Sequence, residues 1–295
     1  MPNPSFAGAH TALITPFREG ILDEPALSRL IEAQIQAGIT GIVPVGTTGE
    51  SPTLSHEEHC RVIEVSVAAA AKRTLVIAGT GSNATSEAIE LTIEAERLGV
   101  DAALVVAPYY NKPSPEGLYR HFKKIAESVN IPIILYSIPG RCGIEIPVSV
   151  IVRLAADCPN ILALKESGGS VERVSQLRAA LPKSFEILSG DDSLTLPFLA
   201  AGAVGVISVA SNIIPSEIQE LVQSFRKGDL LTAQALHQRF YPLFRDLFIE
   251  PNPVPIKTAL AAKGCCLEDV RLPLCEMSFG NKEILLKTLR SISII

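Results

Sequence analysis

The run Ile161-Leu162-Ala163-Leu164-Lys165-Glu166-Ser167 reads as a short buried strand whose carboxyl end carries a lysine where a core would take another aliphatic residue. Side chains alternate along a strand, so Ala163 and Lys165 share one face while Leu162 and Leu164 share the other. In a closed parallel barrel the smaller face points inward and the amine stands at the mouth. An ammonium withdrawn from water loses hydration, which favours the neutral amine that can attack a ketone and form a Schiff base. A lysine that follows a strand is most often a solvated loop residue, so the rest of the chain has to carry the assignment.

Outward from this stretch the sequence alternates short β-rich runs with helical periodicity. The strands read as Thr11–Ile14, Ile42–Val45, Leu75–Ala78, Ala103–Ala107, Ile133–Tyr136, Ile161–Lys165, Phe185–Leu188 and Val204–Val209. Each is followed by a helical pattern: Pro25–Ala37, Ser55 to about Lys72, Thr85–Leu98, Ser114 to about Val129, Pro147–Ala156, Val171–Leu181, Leu194–Ala201 and Pro215–Arg226. Ser55 with Glu58 three residues on is a reciprocal capping pair, and Pro115 suits a first helical turn. Eight β-then-α units in about 225 residues have the count and length of an α/β fold of the closed (β/α)8, or TIM, barrel type. An open doubly wound sheet would not need eight units and would usually carry a glycine-rich turn after its first strand, where Thr15-Pro16-Phe17-Arg18 stands instead.

The barrel is expected to occupy residues 1–227. Residues 228–295 read as a C-terminal helical region: an amphipathic Leu230–Phe248, a rigid turn at Glu250-Pro251-Asn252-Pro253-Val254-Pro255, and helices from Ile256 and from Lys282, packed on the barrel or on a neighbouring subunit. The formal net charge of −5 comes without a basic patch, which argues against a nucleic-acid partner. No apolar run approaches the ~20 residues of a membrane span, and Met1–Ser5 carries no export signal. The six cysteines form no C-x-x-C pair and read as reduced thiols in a cytoplasmic protein. Cys142, near Tyr136 and Arg141, reads as packing rather than as a nucleophile. No metal-ligand constellation and no dinucleotide or pyridoxal motif is present, so no cofactor is expected.

Active sites of such barrels lie at the carboxyl ends of the strands. Collecting those ends gives Thr47-Thr48, Asn83, Tyr109-Tyr110, Tyr136, Lys165, Gly190-Asp191-Asp192 and Ser208. Phenols and threonine hydroxyls thus converge on the rim that carries the one strand-end lysine, which favours Lys165 as a nucleophile. Gly46-Thr47-Thr48-Gly49 reads either as a tight turn before a helix or as a backbone cradle for a carboxylate.

The motifs Gly46-Thr47-Thr48-Gly49-Glu50-Ser51, Tyr109-Tyr110-Asn111-Lys112-Pro113, Tyr136-Ser137-Ile138-Pro139-Gly140-Arg141 and Leu164-Lys165-Glu166 fall in an order and spacing that resembles the dihydrodipicolinate synthase family of pyruvate-dependent Schiff-base lyases. The resemblance extends through Gly190-Asp191-Asp192, Gly205-Val206-Ile207-Ser208 and Glu250–Lys257, almost the whole chain. It implies that Lys165 condenses with pyruvate, that the resulting enamine attacks L-aspartate 4-semialdehyde, and that the product leaves by ring closure. It further implies that Tyr136 passes protons through Thr47 to Tyr110, and that the Thr47-Thr48 backbone holds the pyruvate carboxylate. Arg141 would take the carboxylate of the second substrate, with Gly190 and Ile207 supplying backbone carbonyls nearby. The covalent pyruvate imine on Lys165 replaces a cofactor. The tyrosine matching Tyr110 reaches into a neighbour's site in this family, which implies a homotetramer built as a dimer of dimers.

Within the superfamily, Thr47, Thr48 and Arg141 favour this activity over a related pyruvate aldolase acting on a sugar acid or sialic acid. Ser137 and Cys142 depart from the asparagine and threonine of many members. A non-catalytic barrel that only binds a keto acid is the reading from a different functional class. Ser51, Pro52, His56, His59, Asn83, Glu87 and Tyr109 match positions of an L-lysine feedback pocket in inhibited members. On spacing alone His56 and His59 would be a solvated first turn after Ser55.

Overall fold

Strand β1 (Gly8–Ala12) is followed by a hairpin of β2 (Phe17–Arg18) and β3 (Ile21–Leu22) and by helix α1 (Glu24–Gln36). The alternation continues as β4 (Gly41–Val43), α2 (His56–Ala70), β5 (Leu75–Gly79), α3 (Thr85–Leu98), β6 (Ala102–Val106) and α4 (Pro115–Ala126). After β7 (Ile133–Ser137) come a one-turn α5 (Pro139–Cys142) and α6 (Val148–Asp157), then β8 (Ile161–Glu166) and α7 (Val171–Ala180). The series ends with β9 (Glu186–Ser189), α8 (Thr195–Ala200), β10 (Gly205–Ser208) and α9 (Pro215–Arg226). This computed structural model describes residues 4–295; Met1–Asn3, part of the terminus read for an export signal, lie outside the described residues.

Eight of the strands close into a parallel barrel in the order β1-β10-β9-β8-β7-β6-β5-β4, as the alternating pattern predicts. Every residue of β1, β4, β7 and β10 is buried, the signature of strands covered on both faces. The first strand starts at Gly8 rather than Thr11. Gly8 pairs with Gly205 across the closing seam, and a Cβ on Gly205 would stand 1.9 Å from the Gly8 carbonyl oxygen. Two glycines that look like loop residues locally are what lets β1 and β10 meet.

Local signals set several helix ends. Glu58 N–H donates to Ser55 Oγ at 3.1 Å and Ser55 N–H to Glu58 Oε2 at 3.0 Å, the reciprocal cap expected from the sequence. Ser114 caps α4 through Gly117 N–H. The hairpin β2–β3 and the turn of α5 were not expected: each is too short to show a period. The loop after the fifth barrel strand is therefore partly helical.

Beyond the barrel run α10 (Leu230–Asp246), α11 (Val254–Ala262) and α12 (Phe279–Ser291). Val254–Leu260 of α11 are all buried, and their apolar members belong to the same core as β1, β4 and β5. Thr288 Oγ1 on α12 donates to Asp246 Oδ2 at 2.6 Å, tying α12 to α10. The segment before α11 reaches the carboxyl ends of the strands, where it meets the site described next.

Candidate active site

A cavity of about 430 Å³ opens at the carboxyl ends of the strands. Lys165 and Tyr136 line it from β8 and β7, where the two residues are direct register partners. Lys165 is 6 % exposed and its Nζ lies 4.2 Å from the centroid of the Tyr136 ring. Alternation sends the next side chain, Glu166, to the opposite face, where Arg173 Nε donates to its Oε2 at 2.9 Å. The lysine therefore stands over a phenol while the carboxylate beside it in sequence is engaged elsewhere.

Gly190, at the end of β9, explains how Lys165 fits. A Cβ there would lie 1.8 Å from Ser167 Oγ and 2.8 Å from Lys165 Cε. Only a glycine lets the strand end pass so close to the lysine stem, and Gly190 N–H donates to the Glu166 carbonyl at 2.8 Å. Gly190 and Ile207 are not among the side chains that wall the cavity.

The turn after β4 forms the second wall. Gly46 O accepts from Gly49 N–H and Ser51 N–H, Thr47 O accepts from Glu50 N–H, and Gly49 O accepts from Thr15 Oγ1. The carbonyls are thus used internally, while the N–H groups of Thr47 and Thr48 donate to no other described residue and their residues line the cavity. Consecutive unpaired N–H groups make an anion-binding concavity. The turn is held from behind: Asn252 Nδ2 donates to Thr48 Oγ1 at 3.0 Å, and the fully buried Lys257 Nζ donates to Glu50 Oε1 at 2.5 Å.

Arg141 enters from α5, whose single turn is closed by Cys142 N–H on Ile138 O. Its guanidinium lines the cavity and donates to the Asn252 carbonyl at 3.2 Å. Arg173 steadies the following loop, donating to Glu145 Oε1 at 2.9 Å and to Ile146 O at 2.6 Å. Ser137 is fully buried and turned away from the cavity, its Oγ accepting from Ile146 N–H at 3.4 Å. Cys142 does line the cavity; its thiol donates to Ala107 O, and burial pushes it up to about 11, which keeps it protonated at neutral pH.

The same cavity continues past Tyr109 to Ser51, Pro52, His56, His59 and Glu87. His56 Nε2 is 3.0 Å from Glu87 Oε1, and Ser82 Oγ donates to Glu87 Oε2. Those two bonds, Ser82 first, hold the Glu87 carboxyl below the usual range. The solvated first turn expected on spacing holds for His56 only. His59 is 3 % exposed, it donates from Nε2 to Gly79 O at 2.9 Å, and burial lowers its pKa.

Tyr110 and Asn83, like Gly190 and Ile207, are not among the residues that line the cavity. Tyr110 is 89 % exposed, with a left-handed backbone at φ 75. Asn83 contributes only its carbonyl, which accepts from Asn111 Nδ2 at 2.8 Å. Asp192 and Ser208, collected as rim residues, instead close on each other at 2.5 Å, with Asp192 also accepting from Val209 and Ala210 N–H. Among the residues that sequence reasoning left without a role are Ser82, Arg173, Asn252 and Lys257. Asn252 sits 204 residues from Thr48, so no local pattern marks it.

The family model described as the dihydrodipicolinate synthetase family matches residues 5–292. The 4-hydroxy-tetrahydrodipicolinate synthase of Aquifex aeolicus is 52% identical over 97% of this chain and 97% of its own length. Among solved structures, the 4-hydroxy-tetrahydrodipicolinate synthase of Methylacidiphilum fumariolicum SolV superposes with a TM-score of 0.97 at 55% identity, covering 98% of this chain and 96% of that one. The dihydrodipicolinate synthase of Cyanidioschyzon merolae with lysine bound gives 0.96 at 40% identity, covering 98% and 99%.

Proposed function

The chain belongs to the dihydrodipicolinate synthetase family, and on that premise we propose that Lys165 is the amine through which it works. The protein is a carbon–carbon bond-forming lyase that condenses pyruvate with L-aspartate 4-semialdehyde through a lysine Schiff base, in diaminopimelate and lysine biosynthesis. Full-length relatives at 50%, 52% and 51% identity carry this activity in their names, which favours it over a sugar-acid or sialic-acid aldolase.

In the proposed sequence Lys165 Nζ attacks the keto carbon of pyruvate and water leaves, giving an imine. Loss of a proton from the methyl carbon gives an enamine, whose carbon bonds to the aldehyde carbon of the semialdehyde as the carbonyl oxygen takes a proton. The substrate's own amine then attacks the imine carbon, closes the ring and releases Lys165. Tyr136, whose ring lies beneath Lys165 Nζ, handles the protons together with Thr47 and a partner subunit's copy of Tyr110. The free N–H groups of Thr47 and Thr48 hold the pyruvate carboxylate, and Arg141 holds that of the second substrate. Gly190 and Ile207 present backbone carbonyls. The covalent imine takes the place of a cofactor.

The observation that carries this reading is the buried Lys165 Nζ over the Tyr136 ring, in one cavity with the Thr47-Thr48 turn. Borohydride added with pyruvate, followed by peptide mapping, tests it: the reduced adduct should sit on Lys165, and an unmodified Lys165 would sink the reading.

Three further readings complete the proposal. The protein assembles as a homotetramer, which accords with a phenol at Tyr110 that is exposed and outside the lining of its own cavity. L-lysine inhibits it at the His56–Glu87 end of the cavity, where an ionised carboxylate can take an ammonium group; the lysine-bound relative supports this. It resides in the cytoplasm, in keeping with six cysteines that all stand as free thiols.

A further inference from the structure

We infer that Asn252 is a positioning residue that fixes the donor sense of the Thr48 hydroxyl, so that Thr48 presents its proton to the substrate carboxylate. The inference rests on the proposed role of the Thr47-Thr48 turn. Asn252 precedes α11 and is 6 % exposed. Its Nδ2 donates to Thr48 Oγ1 at 3.0 Å, and its Oδ1 is buried without a partner. Thr48, 4 % exposed, lines the cavity.

A hydroxyl has one proton and two lone pairs. With one lone pair receiving the Asn252 amide, the oxygen has no reason to accept from an incoming anion, which has no proton to give. Its own proton cannot go to Asn252, because the facing atom is itself a donor. The proton is therefore left for the cavity side, where it adds a third donor to the N–H groups of Thr47 and Thr48. The Asn252 carbonyl meanwhile accepts from Arg141 at 3.2 Å, so one residue sets the spacing between the two carboxylate-binding groups.

This makes an unusual ordering of substitutions. Asn252→Asp keeps the shape but turns the facing atom into an acceptor, which draws the Thr48 proton away and leaves lone pairs toward the carboxylate. Asn252→Ala leaves the hydroxyl free to rotate. A packing role would make Ala the worse of the two; the hydrogen-bond role makes Asp worse.

Steady-state kinetics and borohydride-trapping saturation with pyruvate, on the wild type, Asn252→Asp, Asn252→Ala, Thr48→Val and the Thr48→Val/Asn252→Asp double variant, test this. Thr48→Val and Asn252→Asp should each raise the pyruvate KM on the order of tenfold, the scale of one hydrogen bond to a charged group. Asn252→Ala should raise it less, and the semialdehyde KM should move little in either Asn252 variant because the backbone carbonyl to Arg141 remains. In the Thr48→Val background Asn252→Asp should add nothing. A penalty for Asp that persists there would be long-range charge and would overturn the inference, as would an unchanged KM in Asn252→Asp or an Ala variant worse than Asp. Thr48→Val with an unchanged pyruvate KM would remove the carboxylate role of Thr48 and the inference with it; an impaired Thr48→Val beside a normal Asn252→Asp would remove the inference alone. If Asn252→Asp does not fold, by circular dichroism, the same cycle run with Asn252→Ala decides: additive effects overturn the coupling.

Discussion

Lys257 Nζ lies 2.5 Å from Glu50 Oε1, with both side chains fully buried, and this pair joins the C-terminal helices to the turn that carries Thr47 and Thr48. The second Glu50 oxygen accepts from Arg271 N–H, and the Lys257 ammonium sits 4.3 Å from the Phe17 ring centroid. Glu50 adopts a left-handed backbone at φ 54, so its place depends on these contacts. Removing one partner leaves an uncompensated buried charge. Lys257→Met should therefore lower unfolding stability by about 3–5 kcal/mol in urea denaturation, whereas adding Glu50→Gln should recover part of it. If the single variant is as stable as the wild type, the pair does not hold the turn.

Gly190 makes a steric prediction that leaves hydrogen bonding aside. In Gly190→Ala the new methyl meets Ser167 Oγ at 1.8 Å and Lys165 Cε at 2.8 Å, so the lysine stem must shift. A misplacement of about 1 Å at a reacting centre can cost on the order of a hundredfold in rate. Borohydride trapping of pyruvate should slow by at least about tenfold. Ser167→Gly added to it should restore melting temperature more than trapping, because the contact with Lys165 remains. Equal recovery of both would place the effect in the Ser167 contact instead.

What the sequence made legible was what is local or periodic. The eight strand runs, the Ser55–Glu58 cap and the strand-end lysine all follow from neighbours a few residues apart. The one-turn α5 carrying Arg141 is too short for any period to register. The supports of the site are long-range: Asn252 meets Thr48 across 204 residues and Lys257 meets Glu50 across 207. Nothing in a strand or helix pattern says which distant amide will back a threonine. Tyr110 marks a different limit: it is 89 % exposed and lies outside the cavity of its own chain, so neither a local period nor an intrachain contact assigns it a role.

Burial of histidines sets the acid limb of stability. His10 and His121 are each lowered to about 4, in both cases by desolvation. A histidine held neutral in the fold but free to protonate when unfolded means that the unfolded state binds more protons, so stability rises with pH between about 4 and 6.5. Each contributes about 3 kcal/mol over that window. Asp192 acts oppositely: burial pushes it up to about 6, so its fold stabilises as pH falls from about 6 to about 4, by a similar amount. These three groups together predict a loss of about 3 kcal/mol from pH ~6.5 to ~4, read from urea midpoints along a pH series. His121→Gln should remove about that much of the slope. A flat profile in the wild type would contradict the burial assignments.

Glu87 tests the feedback reading separately from the chemistry. Its carboxylate is held by Ser82 and His56 at the far end of the cavity from Lys165. Glu87→Gln keeps the shape and deletes the charge that would meet an ammonium group. The concentration of L-lysine giving half inhibition should rise on the order of tenfold or more, while pyruvate trapping on Lys165 stays at the wild-type level. Wild-type initial rates that do not respond to millimolar L-lysine would end the feedback reading without touching the catalytic one.

Arg173 connects the strand of Lys165 to the loop of Arg141. It is 5 % exposed and donates to the fully buried Glu166, to Glu145 and to the Ile146 carbonyl. Glu166 also accepts from Gly168 N–H, and burial outweighs these bonds in raising its pKa. Arg173→Met should cost about 3–5 kcal/mol of stability, because the Glu166 carboxylate stays buried without its partner. Arg173→Met with Glu166→Gln should regain much of that loss. The semialdehyde KM should stay raised in the double variant, since Ile146 O and the loop after α5 are still unheld, while the pyruvate KM changes little. This split separates a loop that positions Arg141 from a general loss of folding, which would move both KM values together with the melting temperature.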